Sequence, residues 1–486
     1  MQKYLNQPWT LLAVFTGFAL LMRVFSFFPS VINHDESTYI LIADALGRGR
    51  VYLKDVMDTK PIGIFLLFAF FQILFGKAIM VIRIITAVWV ALTGFMLFLA
   101  HRQFLQPSSR SSYNEAPIAS GIIYVFIASI YSTYGLSPNT ELFFNLFTIT
   151  ALFLILRYKG AGIFFLAGLV LGAGFMIKYV VLFDALAIGL FYLWQQVTLR
   201  KSWHFWLLRC TLLGIGFIIP LLGVWIWYNH MGLGEIFWFY SFELSSRYVI
   251  KPIWYEYLNF VFNCFLSFLP VVIWFFYCLW NWRSTERYLP VLSSIWALFI
   301  MFIILWPGRM FTHYFVQFMV PLSLLAGSFF DPRRSPGPIL SWMRKPAIGY
   351  PLFALLIGAN VIAQKFIFFD RKDYPREVAA YLNTRLQPGD ILYTGDYEQI
   401  IYHLTGTSSP TPYIHSSLIW LAANNNALKI NQAEEFEKIL NKNPRFILIN
   451  YPLMKDNPLS ATLQNSYTVV KTFDKEVIVY ERNTQR

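Results

Sequence analysis

Asn33-His34-Asp35-Glu36 sets an imidazole and two carboxylates side by side, directly after the first long apolar run. Ionisable side chains at a membrane boundary are costly unless they have a task. A carboxylate there can serve as general base for an acceptor hydroxyl. Its ordinary alternative is a helix N-cap, since acidic groups favour that end. The same loop closes on Asp58-Thr59-Lys60-Pro61. The Lys60 ammonium can neutralise a phosphate as a point charge, or simply snorkel to the interface. Glu141 ends the turn GLSPNTE and opens the next apolar run. It suits the helix dipole there, or supplies a second carboxylate facing the same cavity as Asp35. Lys178, in MIKY, is placed to snorkel or to hold a lipid phosphate. Arg247 lies among the aromatics of FWFYSFELSSRYVIKPIWYEY, as an anion contact or as part of an interfacial amphipathic helix. Late in the chain, WPGRMFTHYFVQ carries Arg309, His313 and Tyr314. Arg309 and His313 are four apart and share a face if the segment is helical. A cation, an imidazole and a phenol together suit a phosphate or pyrophosphate. No HExxH or HxxxH spacing, P-loop or GxSxG elbow is present.

These residues are carried by an extremely apolar chain. Of 486 residues, 57% are hydrophobic, 19% aromatic and only 13% charged, against roughly 25% charged in soluble domains. A cytosolic enzyme, a disordered chain and a nucleic-acid binder are thereby excluded. The net charge of +13 is spread in small clusters between apolar runs rather than along one face. Cys210, Cys264 and Cys278 all lie inside apolar runs, so no disulfide framework or CxxC metal site is available. Eleven stretches have the composition of spanning helices: 9–28, 78–100, 117–134, 141–156, 162–177, 179–195, 205–228, 258–280, 289–306, 312–330 and 347–367. The first is not a cleaved signal peptide, because it lacks a small-residue cleavage site and Arg23 interrupts it.

The apolar segment from Pro61 to Gly76 is short for a span. If it does not cross, most Lys and Arg clusters in short loops fall on one side, as cytoplasmic loops require. It therefore reads as a helix in the outer interface, with Pro61 at its first position. The N-terminus is then cytoplasmic, and the loops 29–77, 135–140, 229–257 and 306–312 face outward. Beyond about residue 368 the composition turns polar. PREVAAYLNTRL and EEFEKILNKN predict helices, DILYTG and PRFILINY predict strands, and YTVVKTF with EVIVYER predicts a closing hairpin. The expected architecture is a polytopic α-helical membrane protein. Residues 1–368 form the membrane part, with juxtamembrane helices in 29–77, and 369–486 form a small α/β domain on the outer side.

In this order, the pieces resemble the GT-C membrane glycosyltransferases, in particular glycosyltransferase family 39 and the lipid A aminoarabinose transferases, which share a fold with protein O-mannosyltransferases. The resemblance rests on Asp35-Glu36 after the first helix, Lys60-Pro61 opening a juxtamembrane helix that ends in Leu74-Phe75-Gly76, and Arg83 starting the next helix. It continues with Glu141 and with Arg309, His313-Tyr314 and Pro321, and covers about residues 9–330. Ile62 stands where a second Pro is common, and Ile177-Lys178-Tyr179 departs from a Thr-Lys-Gly-like element. Thr59 stands where relatives that bind zinc carry Glu, so no metal ligand is carried over, although a divalent metal stays open.

The resemblance implies transfer of a sugar from a polyprenyl-phosphate-linked donor to a lipid, glycan or protein acceptor on the outer face, with inversion at the anomeric carbon. Asp35 is then the catalytic base, with Glu36 beside it. Glu141, Tyr39 and His34 belong to the acceptor or sugar site. Lys60, Lys178, Arg247, Arg309, His313 and Tyr314 hold the donor phosphate. The expected location is the cytoplasmic membrane of a bacterium. Alternatives are a ligase or polymerase of lipid-linked oligosaccharides and a transporter or flippase. Transporters place ionisable residues and broken helices near the midplane, often in repeats. Here nearly all charges lie at helix ends, with Asp184 the exception, and no repeat is present.

Overall fold

A computed structural model describes residues 7–105, 115–131, 135–200, 202–247, 251–282, 287–334, 338–451, 453, 457–473 and 477–483. Its contacts divide the chain into two compact units. One comprises 1–27, 80–227 and 249–370, and the other 28–79, 228–248 and 371–486. The second unit thus joins the first loop to the C-terminal region, a grouping that a division at residue 368 does not express.

The apolar helices are α1 (Pro8–Met22), α2 (His34–Gly47), α3 (Ile62–Phe75), α4 (Ile79–Phe104), α5 (Glu115–Ile127), α6 (Thr140–Arg157), α7 (Ala161–Phe175), α8 (Val181–Thr198) and α9 (Trp203–His230). They continue with α10 (Trp254–Ser267), α11 (Leu269–Trp280), α12 (Tyr288–Leu305), α13 (Phe315–Ala326) and α14 (Pro346–Gln364). Each of the eleven expected segments overlaps one or two of these helices, residues 132–134 of the third lying outside the described residues. Among the described residues, seven helices are long and apolar enough to cross a membrane. The runs of α1, α5 and α7 are shorter. The run at 258–280 is not the one straight span expected from its composition. It breaks at Phe268, and α10 and α11 meet at 95°. Phe268 leaves the helical region (φ −123°, ψ 21°) and Pro270 follows within the first turn of α11. Pro270 suits the start of α11, where its missing N–H costs no hydrogen bond, although Pro220 lies inside the continuous α9.

In the first unit α13 is central: all twelve of its residues are buried. A helix apolar all round belongs in such a position. Of its two polar members, Gln317 and Ser323, Gln317 donates to Asp184 of α8 at 2.8 Å, and Trp296 of α12 donates Nε1–H to the same carboxylate at 2.5 Å. The deep carboxyl group of Asp184 thus serves to join three helices. Helices α7 and α9 approach closely through glycines: a Cβ at Gly168 would lie 2.1 Å from the Leu213 carbonyl, and one at Gly216 2.2 Å from that of Phe165. Small residues at helix contacts are what close packing in lipid requires.

Arg23, just past α1, is fully buried. Its guanidinium donates to the carbonyls of Ala128 at 2.9 Å, Gly135 at 2.8 Å and Leu136 at 3.1 Å. It thereby ties down the turn that leads into Glu141. Each buried carbonyl left unpaired costs about 1–3 kcal/mol, so Arg23→Met should destabilise the protein by about 3 kcal/mol, seen as a lowered Tm in detergent.

In the second unit, α3 is 14 residues long, about 21 Å at 1.5 Å per residue and short of the ~30 Å hydrocarbon core. Pro61 is its N-cap rather than its first helical residue. One face packs on α2, where Tyr39 meets Phe65 and Phe68 edge-on. Leu66, Phe70, Ile73 and Leu74 stay exposed on the other. The C-terminal region holds α15 (Tyr374–Asn383), α16 (Gln432–Asn441) and a four-stranded sheet. Strands β1 (Leu392–Tyr393), β2 (Phe446–Ile449), β3 (Tyr467–Phe473) and β4 (Val477–Arg482) lie in the order β1-β2-β4-β3. β1 and β2 are parallel, β2 and β4 antiparallel, and β3–β4 is a hairpin whose register shifts between Val469 and Lys471. Every strand and helix expected here from periodicity is present: Phe446–Ile449, Val477 and Val479 are buried, and Ile447 and Ile449 share a core with Phe436 and Ile439 of α16.

Candidate active site

The first loop becomes rigid at two points. Asn33 is extended (φ −147°, ψ 145°) and caps α2, accepting the Asp35 N–H at 2.9 Å on Oδ1. Asn33, not Asp35, is therefore the cap, and the Asp35 carboxylate is available for another partner. That partner is Lys60, whose Nζ lies 2.8 Å from Asp35 Oδ1 and 3.4 Å from Asp58 Oδ2. The Tyr52 hydroxyl lies 2.7 Å from the Asp58 carbonyl and 2.6 Å from that of Lys60, which fixes the segment bearing the lysine. The ammonium also stands 5.3 Å from the centre of the buried Tyr39 ring. Burial pulls the Lys60 pKa down, but Asp35 and Asp58 outweigh it and hold it well above the usual lysine value. Lys60 is accordingly a permanent cation. Glu36, in the first turn of α2, is buried.

The C-terminal region reaches this loop by several routes. Met57 N–H donates to the Pro412 carbonyl at 2.7 Å, and Ser30 N–H to Asp373 at 2.8 Å. Gln399 Nε2 donates to the His34 carbonyl and the Thr38 hydroxyl, each at 2.9 Å. His403 Nδ1 lies 2.6 Å from the buried Asp44, which Lys77 also approaches at 3.1 Å. Burial raises the Asp44 pKa, but His403 and then Lys77 carry it below its ordinary value. His34 Nδ1 is 3.3 Å from Glu398 Oε2. Burial holds the Glu398 pKa up, partly offset by His34. His415 Nε2 is 3.7 Å from Asp35 Oδ1. Burial pushes the His415 pKa below its usual value, Asp35 opposes this, and Lys60 reinforces it.

The first unit carries a second polar group. Glu141 lies in the first turn of α6, fully buried, and pairs with Lys178, which sits in the turn between α7 and α8. The Thr140 hydroxyl donates to the other carboxylate oxygen at 3.1 Å. Lys178 Nζ stands 4.2 Å from the centre of the Tyr314 ring. Tyr314 and His313 rings are 4.8 Å apart and nearly perpendicular, and Phe311 stacks on His313 at 5.5 Å.

Of the residues singled out in the sequence, Asp35, Lys60 and Tyr39 are thus brought together, and His34 lies near them, its ring centre 6.0 Å from that of His415. Glu141, Lys178, Tyr314 and His313 form the other set. One expectation needs correction. Arg309 and His313 do not share a helical face: Gly308 takes a positive φ of 68°, and only Thr312–Tyr314 form a single 3₁₀ turn before α13. Gly308 is needed there because that conformation is strained for other residues. Arg247 pairs with Glu243 at 3.4 Å, one helical turn away, and lies over Phe239. Sequence reasoning missed Asp58 and the C-terminal residues Glu398, Gln399 and His415. Asp58 stands in plain view beside Lys60; the others carry no spacing signal, since they are more than 330 residues from the loop they meet. Among the described residues, no three His, Cys, Asp or Glu side chains are grouped as metal ligands.

Residues 59–227 match the model of the dolichyl-phosphate-mannose-protein mannosyltransferase family. The match begins beside Lys60 and runs through Glu141 and Lys178. No curated protein matches the chain by sequence. Two solved structures of ArnT from Cupriavidus metallidurans superpose with a TM-score of 0.65 over 96% of this chain and 97% of theirs. The form bound to undecaprenyl phosphate is 14% identical, and the apo form 16%. The apo oligosaccharyltransferase of Archaeoglobus fulgidus superposes with a TM-score of 0.52, at 12% identity, over 98% of this chain and 74% of that one. The matched family and these neighbours are glycosyltransferases. The fold is the ArnT-like GT-C membrane fold, and the chain is an integral, multi-pass membrane protein.

Proposed function

We propose that this chain transfers a sugar from a polyprenyl-phosphate-linked donor to a lipid, glycan or protein acceptor on the outer face of a bacterial cytoplasmic membrane, with inversion. The reading is carried by the Asp35–Lys60 pair at the mouth of α2. Asp35 takes the proton of the acceptor nucleophile as that atom attacks the anomeric carbon. The bond from the anomeric carbon to the phosphate oxygen breaks, and the lipid phosphate leaves as an anion. Fixed cations at that anion stabilise the transition state more strongly in a water-poor site than in bulk water. Lys60, beside Asp35, serves this purpose; in the first unit Lys178, oriented by Glu141, is a second cation suited to a phosphate, and the neighbouring His313 offers a ring nitrogen for hydrogen bonding. The undecaprenyl phosphate in the ArnT structure supports a donor of that class. In this reading α3 lies in the outer interface, the N-terminus is cytoplasmic and residues 369–486 are outside, as the distribution of Lys and Arg favours.

Mass spectrometry of lipids copurifying with the protein should detect a polyprenyl phosphate. Proteoliposomes supplied with undecaprenyl-phosphate-linked pentoses and hexoses should release undecaprenyl phosphate from at least one of them. Absence of any bound polyprenyl lipid, together with no release from the whole panel, overturns the proposal.

A further inference from the structure

We infer that His415, in the C-terminal region, is a positioning residue for Asp35: its Nε2–H is directed at Oδ1 and fixes the orientation of the carboxylate. The C-terminal region is then part of the reaction centre rather than an appendage. This rests on the reading of Asp35 as the base.

The tautomer follows from the local hydrogen bonds. His415 Nδ1 faces two groups of Ser417: the backbone N–H at 3.2 Å and the hydroxyl at 2.8 Å. A backbone N–H can only donate, so Nδ1 is the acceptor and the ring proton resides on Nε2. Nε2 is the atom that lies 3.7 Å from Asp35 Oδ1. The ring is well covered, with 17% of its side chain exposed, and burial disfavours its charged form. A neutral imidazole with a fixed tautomer is a directional donor, not a second cation competing with Lys60.

The segment that bears the ring is itself held in place. Backbone pairing of Met57 with Pro412 and Tyr413 docks it on the first loop, and Ser417 opens the short helix Ser417–Trp420, whose Ile419 is buried in the sheet core. Register between loop and ring is therefore set by main-chain contacts on one side and by core packing on the other. The 3.7 Å separation exceeds a formed hydrogen bond, about 2.7–3.2 Å. Catalytic hydrogen bonds are often long before substrate is bound and tighten in the complex. Lys60 supplies charge to Oδ1, and His415 supplies direction. Once the His415 contact closes in the substrate complex, the carboxylate is held at one oxygen by two donors from different segments and cannot rotate about its Cβ–Cγ bond without losing them.

The test uses the full-length protein in proteoliposomes and release of undecaprenyl phosphate from whichever undecaprenyl-phosphate-linked sugar is turned over. His415→Ala should lower kcat by about 10- to 100-fold, the scale of a small misplacement of a reacting group, with KM for the donor unchanged. His415→Gln, whose amide N–H replaces Nε2–H, should restore most of kcat. In an Asp35→Asn background His415→Ala should cause no further loss, because residues acting as a unit are not additive. Binding of undecaprenyl phosphate alone, read by native mass spectrometry, should survive in every variant. If Asp35→Asn is inactive while His415→Ala keeps full kcat, the positioning role is wrong and the base stands. If Asp35→Asn remains active, the base reading itself fails. Equal loss in the Ala and Gln variants at unchanged Tm rules out donation by the N–H. Loss that tracks a fall in Tm assigns His415 to folding and overturns the inference.

Discussion

Asp35→Asn should reduce sugar transfer by at least about 1,000-fold, within the range that a positioned base contributes, while the protein still folds and binds polyprenyl phosphate. The substitution keeps size and shape but removes the ability to take a proton. It also removes one of the two carboxylates beside Lys60. Asp58 remains 3.4 Å from Nζ and is buried, so the ammonium keeps a counter-charge and the loop keeps its anchor through Tyr52. Loss of activity is thus separable from loss of structure. The measurement is undecaprenyl phosphate release beside a melting curve in detergent. Wild-type rates in the variant would sink the assignment of Asp35.

Lys178→Met should be harmful in a different way. Glu141 is buried, and Lys178 is its partner. Removing one member of a buried ion pair typically costs about 3–5 kcal/mol, because a charge is left without compensation. The single variant should therefore melt markedly lower and show little transfer. The double variant Lys178→Met/Glu141→Gln removes both charges and should recover most of the stability. If Lys178 holds the leaving phosphate, the double variant stays inactive despite its recovered Tm. A double variant that regains transfer would reduce the pair to a structural role.

The positions of the spanning helices were legible because such helices are written in composition: about 20 apolar residues in a row rarely serve any purpose but crossing lipid. Each of the eleven expected segments overlaps one or two helices, and the C-terminal strands follow from short apolar and alternating runs. Local chemistry was legible too. Asp35 beside the first helix, Lys60 before Pro61 and Glu141 at a helix start are all read from neighbours in the chain. The break at Phe268 was not legible, because hydrophobicity is uniform around it and a proline such as Pro270 does not by itself end a helix: Pro220 and Pro321 lie inside α9 and α13. Arg309 and His313 misled for a related reason: spacing predicts a shared face only if the segment is helical, and Gly308 ends that condition.

By itself, then, the sequence determined the class of molecule, the order of its helices and the identity of the acid and cation at each loop. Tertiary structure alone decided who partners whom: Lys178 with Glu141 across 37 residues, Asp184 with Trp296 and Gln317, and His415 with Asp35 across 380 residues. The physical reason is range. Hydropathy and capping act within a turn or two of the chain, whereas an ion pair or a hydrogen bond is a matter of a few ångströms in space. Segments far apart in sequence are brought that close only when the packing of the whole unit is complete.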